Sequence, residues 1–523
     1  MTREIVRLDV EIGAVFSSDS ITEMRTMLRH ESLHVRSLLS QQHVREITLT
    51  ILLAMVAGLL MLAISRNGKT ALGLYLLVVV VLTFAAVIGN VRRLMVGLVV
   101  ADTALGLDRS LFLLPNHLGG QLGLEISLTT MILVLFCLLW LAEPRYHPKA
   151  TRALPGLALS LPTIGIILVS ILSILAAKNI QASIFAIVQL IQYLLLYAFV
   201  VQIIQSKEDL RFYISALMVV VLVESLMIMF QYFTKSNLYF SVISTNYAAD
   251  AQDWRPGGTF STPTSAAAYL APHVVLILSA LMCHPTSLQR WLGMSAVGTG
   301  LFALIATQTR AGLLSLILAS ILLILFALRR GFVKLNTVLP LVFVALLVAV
   351  IFSGSIFYRL TTDDAGSAAS RIPLNQMAEK MIRAHPLLGV GVNNYSEVMN
   401  DYLVLSSTQT FIYIVHNRYL YVWAETGTLG MLCLIWFVAV WLHNAYRAYC
   451  LGAPDLAPIA LGIVVGGIGT LAIGWNAEAL TGRLQEQAIW MMAALATALY
   501  GLASQHHYYL ARGKIRGATV QKP

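Results

Sequence analysis

Residues 310–329 read RAGLLSLILASILLILFALR, eighteen residues without a charge held between Arg310 and Arg329. At ~1.5 Å per residue such a run crosses the ~30 Å hydrocarbon layer of a bilayer. The two arginines then sit where a span should end. The preceding residues, Thr307-Gln308-Thr309, leave no room for a loop before the previous apolar run at 288–307, so Arg310 tips a tight helical hairpin.

The same signature recurs along the chain. From Ile47 onward about fourteen apolar spans are legible, near 47–65, 70–88, 94–107, 124–142, 157–176, 183–205, 209–233, 264–283, 288–307, 311–329, 335–353, 412–442, 457–475 and 486–504. The third is short and carries Asp102, so the expected number is 12–14. Of 523 residues, 58% are hydrophobic and 11% charged, which a soluble chain of this length could not cover with polar surface. An all-α polytopic membrane protein is expected. The short alternating segments of a transmembrane barrel are not seen.

The net charge of +10 suggests nucleic acid, but the Lys and Arg residues lie in short loops between spans and form no basic tract. Their distribution instead sets orientation. With the N-terminus inside, sixteen basic residues fall in inner loops and the tail against eight in short outer loops. This puts both termini in the cytoplasm and residues 354–411 on the outer side of the membrane. Cys137, Cys283, Cys433 and Cys450 lie in or beside spans and imply neither a disulfide framework nor a metal site. The first apolar run starts only at Ile47, so no cleavable signal peptide is expected.

The domain reading follows: an N-terminal extension, 1–46; spans over 47–353; an outer loop domain, 354–411; spans over 412–504; and a basic tail, 505–523. In the extension, Ser20 and Glu23 fit a capping box ahead of Ile21, Met24, Met27 and Leu28. This reads as a helix on the inner membrane surface or as a partner-binding tail.

The outer loop holds most of the chemistry. Leu374, Met377, Ala378, Met381 and Ile382 form the apolar stripe of a helix over 370–384. Gln376, Glu379, Lys380 and Arg383 form its polar side, and Pro373 suits its first turn. Arg371 points along the apolar side, so it must be paired, with Asp363 or Asp364, or bind an anion. Arg310 at its hairpin tip either snorkels to headgroup phosphates or grips a diphosphate bidentately. His416, followed by Asn417, stands at the water boundary. It suits a proton acceptor or a plain polar helix end. Arg255-Pro256-Gly257-Gly258 reads as a glycine turn or an anion contact. Glu224 and Gln231 share a helix face, and with Glu425 they suit interhelical hydrogen bonds. Asp363-Asp364 is a weak metal signal, and Gly389-Val390-Gly391 is no dinucleotide fingerprint. No cofactor is expected.

In order, Arg-Pro-Gly-Gly-Thr-Phe (255–260), Gln-Thr-Arg-Ala-Gly (308–312), Ser-Arg (370–371), His-Pro-Leu-Leu-Gly-Val-Gly (385–391), His-Asn-Arg-Tyr-Leu (416–420) and Ala-Glu-Thr-Gly (424–427) resemble the O-antigen ligase/polymerase family of bacterial envelope proteins. The likeness covers about 250–430. It departs at Thr309, at Thr264 and in lacking a tryptophan after Arg371. The resemblance implies a C-type, metal-independent, inverting membrane glycosyltransferase, with donor glycan on undecaprenyl diphosphate and a glycan or lipid acceptor, working beside other polysaccharide-assembly proteins. It maps the diphosphate-facing arginines onto Arg310 and Arg371 and the loop histidine onto His416. Arg255, Asn417, Arg418 and Tyr419 are the substrate-binding candidates. The extension and extra spans favour a repeat-unit polymerase over a ligase acting on lipid A-core. A lipid-glycan flippase would show inverted repeats, and an assembly scaffold would tolerate loss of the outer arginines.

Overall fold

The computed structural model describes residues 91–106, 108–114, 117–142, 153–235, 254–260, 262–336, 367–403, 413–475 and 482–520. The extension, the first two expected spans, the span at 335–353 and Asp363-Asp364 lie outside the described residues. The chain divides into two compact units, Met1–Met95 and Val96–Pro523. Of the first, only the opening turn of helix α1 (Val91–Leu105) is described. All that follows concerns the second.

After α1 come strands β1 (Asp108–Leu113) and β2 (Gly123–Ser127), then helices α2 (Leu128–Ala142), α3 (Ala153–Ser173), α4 (Ile180–Ile203), α5 (Lys207–Thr234), α6 (Pro263–Ala280), α7 (Ser287–Ala306) and α8 (Arg310–Arg329). The outer segment supplies α9 (Ser367–Ala384) and the single turn α10 (Tyr395–Val398). The chain closes with α11 (Arg418–Leu451), α12 (Ala457–Gly474) and α13 (Arg483–Val520). Eight stretches among the described residues are long and apolar enough to cross a membrane. The fold is that of a polytopic helical membrane protein.

Local sequence explains where the spans begin. Ser206 and Asp209 form a reciprocal capping box at the start of α5, as do Thr286 and Gln289 at α7. Thr262 caps α6, with Pro263 at the first helical position, where its missing N–H costs nothing.

Burial then sorts centre from rim. In α6, 83% of the span is buried and in α12, 78%, against 28% in α8. The central pair is built from small residues. Gly462 and Gly466 of α12 lie against Ser279 and Pro272 of α6, and no Cβ fits between them and their neighbours without a shift. Leu314, Ile317, Ile321 and Leu325 of α8 stay exposed, as lipid-facing residues do.

Two features differ from the sequence reading. The stretch between the third and fourth expected spans is an antiparallel hairpin, with Asp108 opposite Ser127 and Leu113 opposite Gly123. The sequence 108–113 does not alternate cleanly, which hid it. The loop helix starts at Ser367, so Pro373 lies inside it and not in its first turn. Its stripe is as expected: Leu374, Met377, Ala378 and Met381 are fully buried, against Val390, Ile414, Val415, Tyr421 and Ala424.

The outer segment is fastened through a break in α11. Gly427 takes φ 65°, ψ −169°, which interrupts the helix. An intact helix would pair Thr428 N–H with Ala424 C=O and Leu429 N–H with Glu425 C=O. Here Val390 N–H and Gly391 N–H donate to those two carbonyls at 2.9 and 3.0 Å. Thr428 N–H and Leu429 N–H donate to Pro386 and Leu387 C=O at 2.8 and 3.4 Å. The turn 386–391 thus satisfies all four groups that the break releases.

Gly389→Ala is expected to fail here. Its φ of +68° disfavours a side chain, and a Cβ would run into the backbone of Glu425. Strain of ~1–3 kcal/mol adds to the steric clash, so thermal unfolding in detergent should shift down by several degrees. Gly298→Ala, on α7 with open space around it, should leave the midpoint unchanged or raise it. Equal midpoints for the two variants would refute the docking argument.

Candidate functional site

The candidate residues gather at one end of the helix bundle. Arg310 is the first residue of α8, after Gln308 in the left-handed region (φ 52°). Two residues on, Gly312 lies against Ala267 near the start of α6, so the turn carrying Arg255 and the hairpin tip share this end. Further along α8, Ser315 Oγ faces Gly469 near the C-terminal end of α12. Two residues later Leu471 C=O accepts a 2.7 Å hydrogen bond from Tyr419 Oη of α11. Arg371 lies one turn before Leu374, on the helix packed against Val415 and Tyr421.

Each residue has a distinct local role. Arg371 is half-buried, and its Nε is buried with no hydrogen-bond partner among the described residues. His416 is half-buried with its ring 5.7 Å from that of Tyr413. Asn417 caps α11, its Oδ1 accepting from Tyr419 and Leu420 N–H at 3.0 and 3.1 Å. That oxygen is therefore committed to the helix.

The Arg255 turn is clamped from α5. Gln231 exchanges two 2.8 Å hydrogen bonds with the backbone of Gly258. Glu224 accepts from Thr259 N–H at 3.0 Å and from its hydroxyl at 2.7 Å. Glu224 and Gln231 of α5 are thus used to hold a turn. Glu425 likewise accepts from Tyr395 N–H at 3.1 Å.

A cavity of about 180 Å³ opens at the same end. Its polar wall comprises Gln121, Gln189, Asn393, Arg418, Glu425 and Glu486, and its apolar wall includes Leu434, Phe437 and Trp490. Arg418 and Tyr419 line it. Arg255, Arg310, Arg371, His416 and Asn417 are not among its walls. Arg418 is ion-paired with Glu486 of α13, which also binds the Trp490 side chain.

Sequence reading missed the segment after Gly391. Asn393 Oδ1 accepts from Gln121 N–H at 2.9 Å, while its Nδ2 donates to Gln121 C=O and Ala182 C=O at 2.8 and 3.2 Å. With its amide so oriented, His117 Nε2, 3.1 Å from the same Oδ1, is a donor, and Nδ1 faces Glu397 at 3.0 Å. Asn394 Oδ1 accepts from Asn179 N–H at 2.7 Å. The doublet Asn393-Asn394 was the available signal, since asparagine tolerates the left-handed backbone that Asn393 adopts here (φ 58°).

Arg483, one of the eight basic residues counted in short outer loops, is the first residue of α13 and not a solvated loop charge. It is buried, with Nε donating to Asp108 Oδ2 at 2.9 Å, Glu125 Oε2 at 3.5 Å and Asp102 Oδ2 3.6 Å from its Nη1. Asp102 is further held by Thr129 N–H and hydroxyl. Three carboxylates around one guanidinium cannot all be ionised cheaply. Burial pushes Asp108 up against the pull of Arg483, and burial pushes Glu125 up to about 7, with Arg483 opposing and Asp108 adding. No cluster of His, Cys, Asp and Glu able to hold a metal occurs among the described residues.

The class defined so far is an integral membrane protein with arginines, a histidine and a polar cavity at one end of its bundle. Residues 294–435 match the family model described as O-Antigen ligase (Wzy_C). The match supports the O-antigen ligase/polymerase family and, with it, a membrane glycosyltransferase-type activity. It encloses Arg310, Arg371 and 416–419 and leaves out Arg255. No curated protein matches the chain.

The Glu125 shift sets a sign. The folded carboxyl keeps its proton to about pH 7, whereas an exposed glutamate releases it near its ordinary value of 4.5. Between those values the folded state binds more protons, so this contribution to stability declines as pH rises from about 4.5 to 7 and is flat above. Glu125→Gln should therefore raise the unfolding midpoint at pH 7.5 and leave it near wild type at pH 4.5. An equal shift at both pH values would show that the carboxyl does not titrate in this window.

Proposed function

We propose that the protein transfers a glycan from undecaprenyl diphosphate to an acceptor hydroxyl at the outer face of the bacterial inner membrane, polymerising polysaccharide repeat units. The observation that carries this reading is the buried, unpartnered Nε of Arg371, on a helix locked to α11 within the family-matched segment. A buried guanidinium N–H without an acceptor is costly and suits a ligand anion.

In this reading the acceptor O–H attacks the anomeric carbon from the side opposite the carrier and inverts it. The new C–O bond forms as the bond to the diphosphate breaks. The electron pair leaves with the diphosphate oxygen, where Arg310 and Arg371 stabilise it without a metal. The acceptor proton passes to His416. Arg255 extends the cationic end, while Asn417 and Tyr419 hold the start of α11 in register.

Purified protein given a carrier-linked repeat unit, with and without lipid A-core, tests this by gel and mass spectrometry. Arg310→Ala and Arg371→Ala should each lower turnover by ~10²–10³, and His416→Ala by ~10²–10⁴. Product joined to lipid A-core instead of to a second repeat unit assigns a ligase. Flux across vesicles without chemical change assigns a flippase. Normal turnover in all three variants removes the proposal.

A further inference from the structure

The cavity beside Arg418 has a composition unlike a diphosphate site. Its walls hold one guanidinium, Arg418, and two carboxylates, Glu425 and Glu486. An incoming phosphate would meet more negative than positive charge. A bare isoprenoid chain fits no better, because it would leave buried polar groups without partners.

Gln189 decides between the remaining ligands. It faces the cavity from α4, is only 8% exposed, and makes no hydrogen bond to any described residue. A primary amide carries two donors and an acceptor, and here it lines the cavity, where they can meet a ligand. Across the cavity, the Arg418–Glu486 ion pair presents further donors and acceptors, with side chains 21% and 14% exposed. Tyr419, Tyr421 and Trp490 add aromatic wall. A planar amide, an ion pair and aromatic rings together suit a ring that is polyhydroxylated at its edge and apolar on its C–H face. At ~30 Å³ of liquid volume per water, 180 Å³ holds about six waters, the space of a single small ring.

We propose that this cavity, between α3, α4, α11, α12 and α13, is a binding subsite for one uncharged pyranose residue of the glycan substrate, with Gln189 and the Arg418–Glu486 pair as its recognition groups. The inference rests on the glycan-transfer reading but places recognition apart from the chemistry. Gln189, Glu486 and Trp490 lie outside the matched segment 294–435, which encloses Arg310, Arg371 and His416. Glu486 acts as a positioning residue, holding the Arg418 guanidinium across the cavity.

Direct binding tests this without requiring turnover. The full-length protein in nanodiscs is mixed with the methyl glycosides of glucose, galactose and N-acetylglucosamine, and saturation-transfer NMR reads ring-proton contact. At least one glycoside should bind with a millimolar dissociation constant. Gln189→Leu, of similar volume, should weaken that binding at least tenfold, and Glu486→Gln, which keeps the shape and removes the charge, several-fold. Arg371→Ala should leave sugar binding intact while abolishing transfer, which separates failure of the subsite from failure of the transferase reading. In the transfer assay Gln189→Leu should raise KM for the carrier-linked repeat unit and largely spare kcat. No transfer of saturation to any of the three glycosides overturns the proposal. So does binding that Gln189→Leu leaves unchanged, or displacement of the sugar by farnesyl diphosphate, which would give the cavity to the carrier.

Discussion

The architecture of the outer segment depends on one broken helix. At Gly427 the backbone leaves helical geometry, and four peptide groups lose their partners in a region where water is scarce. Such a break is tolerable only if another segment supplies the missing bonds. The turn 386–391 does so bond for bond. Two sequence motifs forty residues apart are therefore halves of one structure. Gly427 makes the gap, and Gly389 with Gly391 lets a second backbone come close enough to fill it. Everything at this end is positioned from that joint: α9 with Arg371 on one side, Asn393 and Asn394 on the other, and the start of α11 beyond.

A second joint ties the other wall of the cavity. Arg483 opens α13 and draws in Asp108 and Glu125 from the hairpin and Asp102 from α1. Glu486, one turn later, turns toward Arg418. Within four residues α13 thus contributes one cation to an acid cluster and one anion to the cavity. An excess of buried carboxylates is a poor way to gain stability. It does fix orientation, because each carboxylate comes from a different element and only one arrangement brings all three to the same guanidinium.

The contrast between what was legible in the sequence and what was not follows from range. Spans and caps are local, and α3 to α6 were readable to within a few residues from hydrophobic runs alone. The stripe Leu374–Met381 was readable because period and amphipathicity are properties of one helix. The hairpin was missed because its strands are short and one lies mostly exposed. Arg483 was misread because positive charge beside an apolar run normally marks a loop, and only the tertiary fold shows three acids waiting for it. Gln189 gave no signal, being one amide among many on apolar helices. Its meaning appears only when the cavity it faces is known. Arg310, Arg371 and His416 stood out through the order of short motifs that carry them, and the family-matched segment encloses all three.

That difference also separates two kinds of residue in the functional end. Groups that stabilise a leaving diphosphate must be charged and fixed, so they occur as isolated arginines at helix ends, where sequence exposes them. Groups that read a sugar need only be polar, close and unsatisfied, and helices can supply them from any position facing a cavity. A transferase that keeps one leaving group while changing its glycan would hold the first set and alter the second. On the proposed reading the first set lies within 294–435, and the cavity draws Gln189 from α4, Glu486 from α13 and Gln121 from the loop before β2. If the cavity takes a sugar as proposed, the span helices outside the matched segment are more than a scaffold: with the hairpin they supply the wall that reads it.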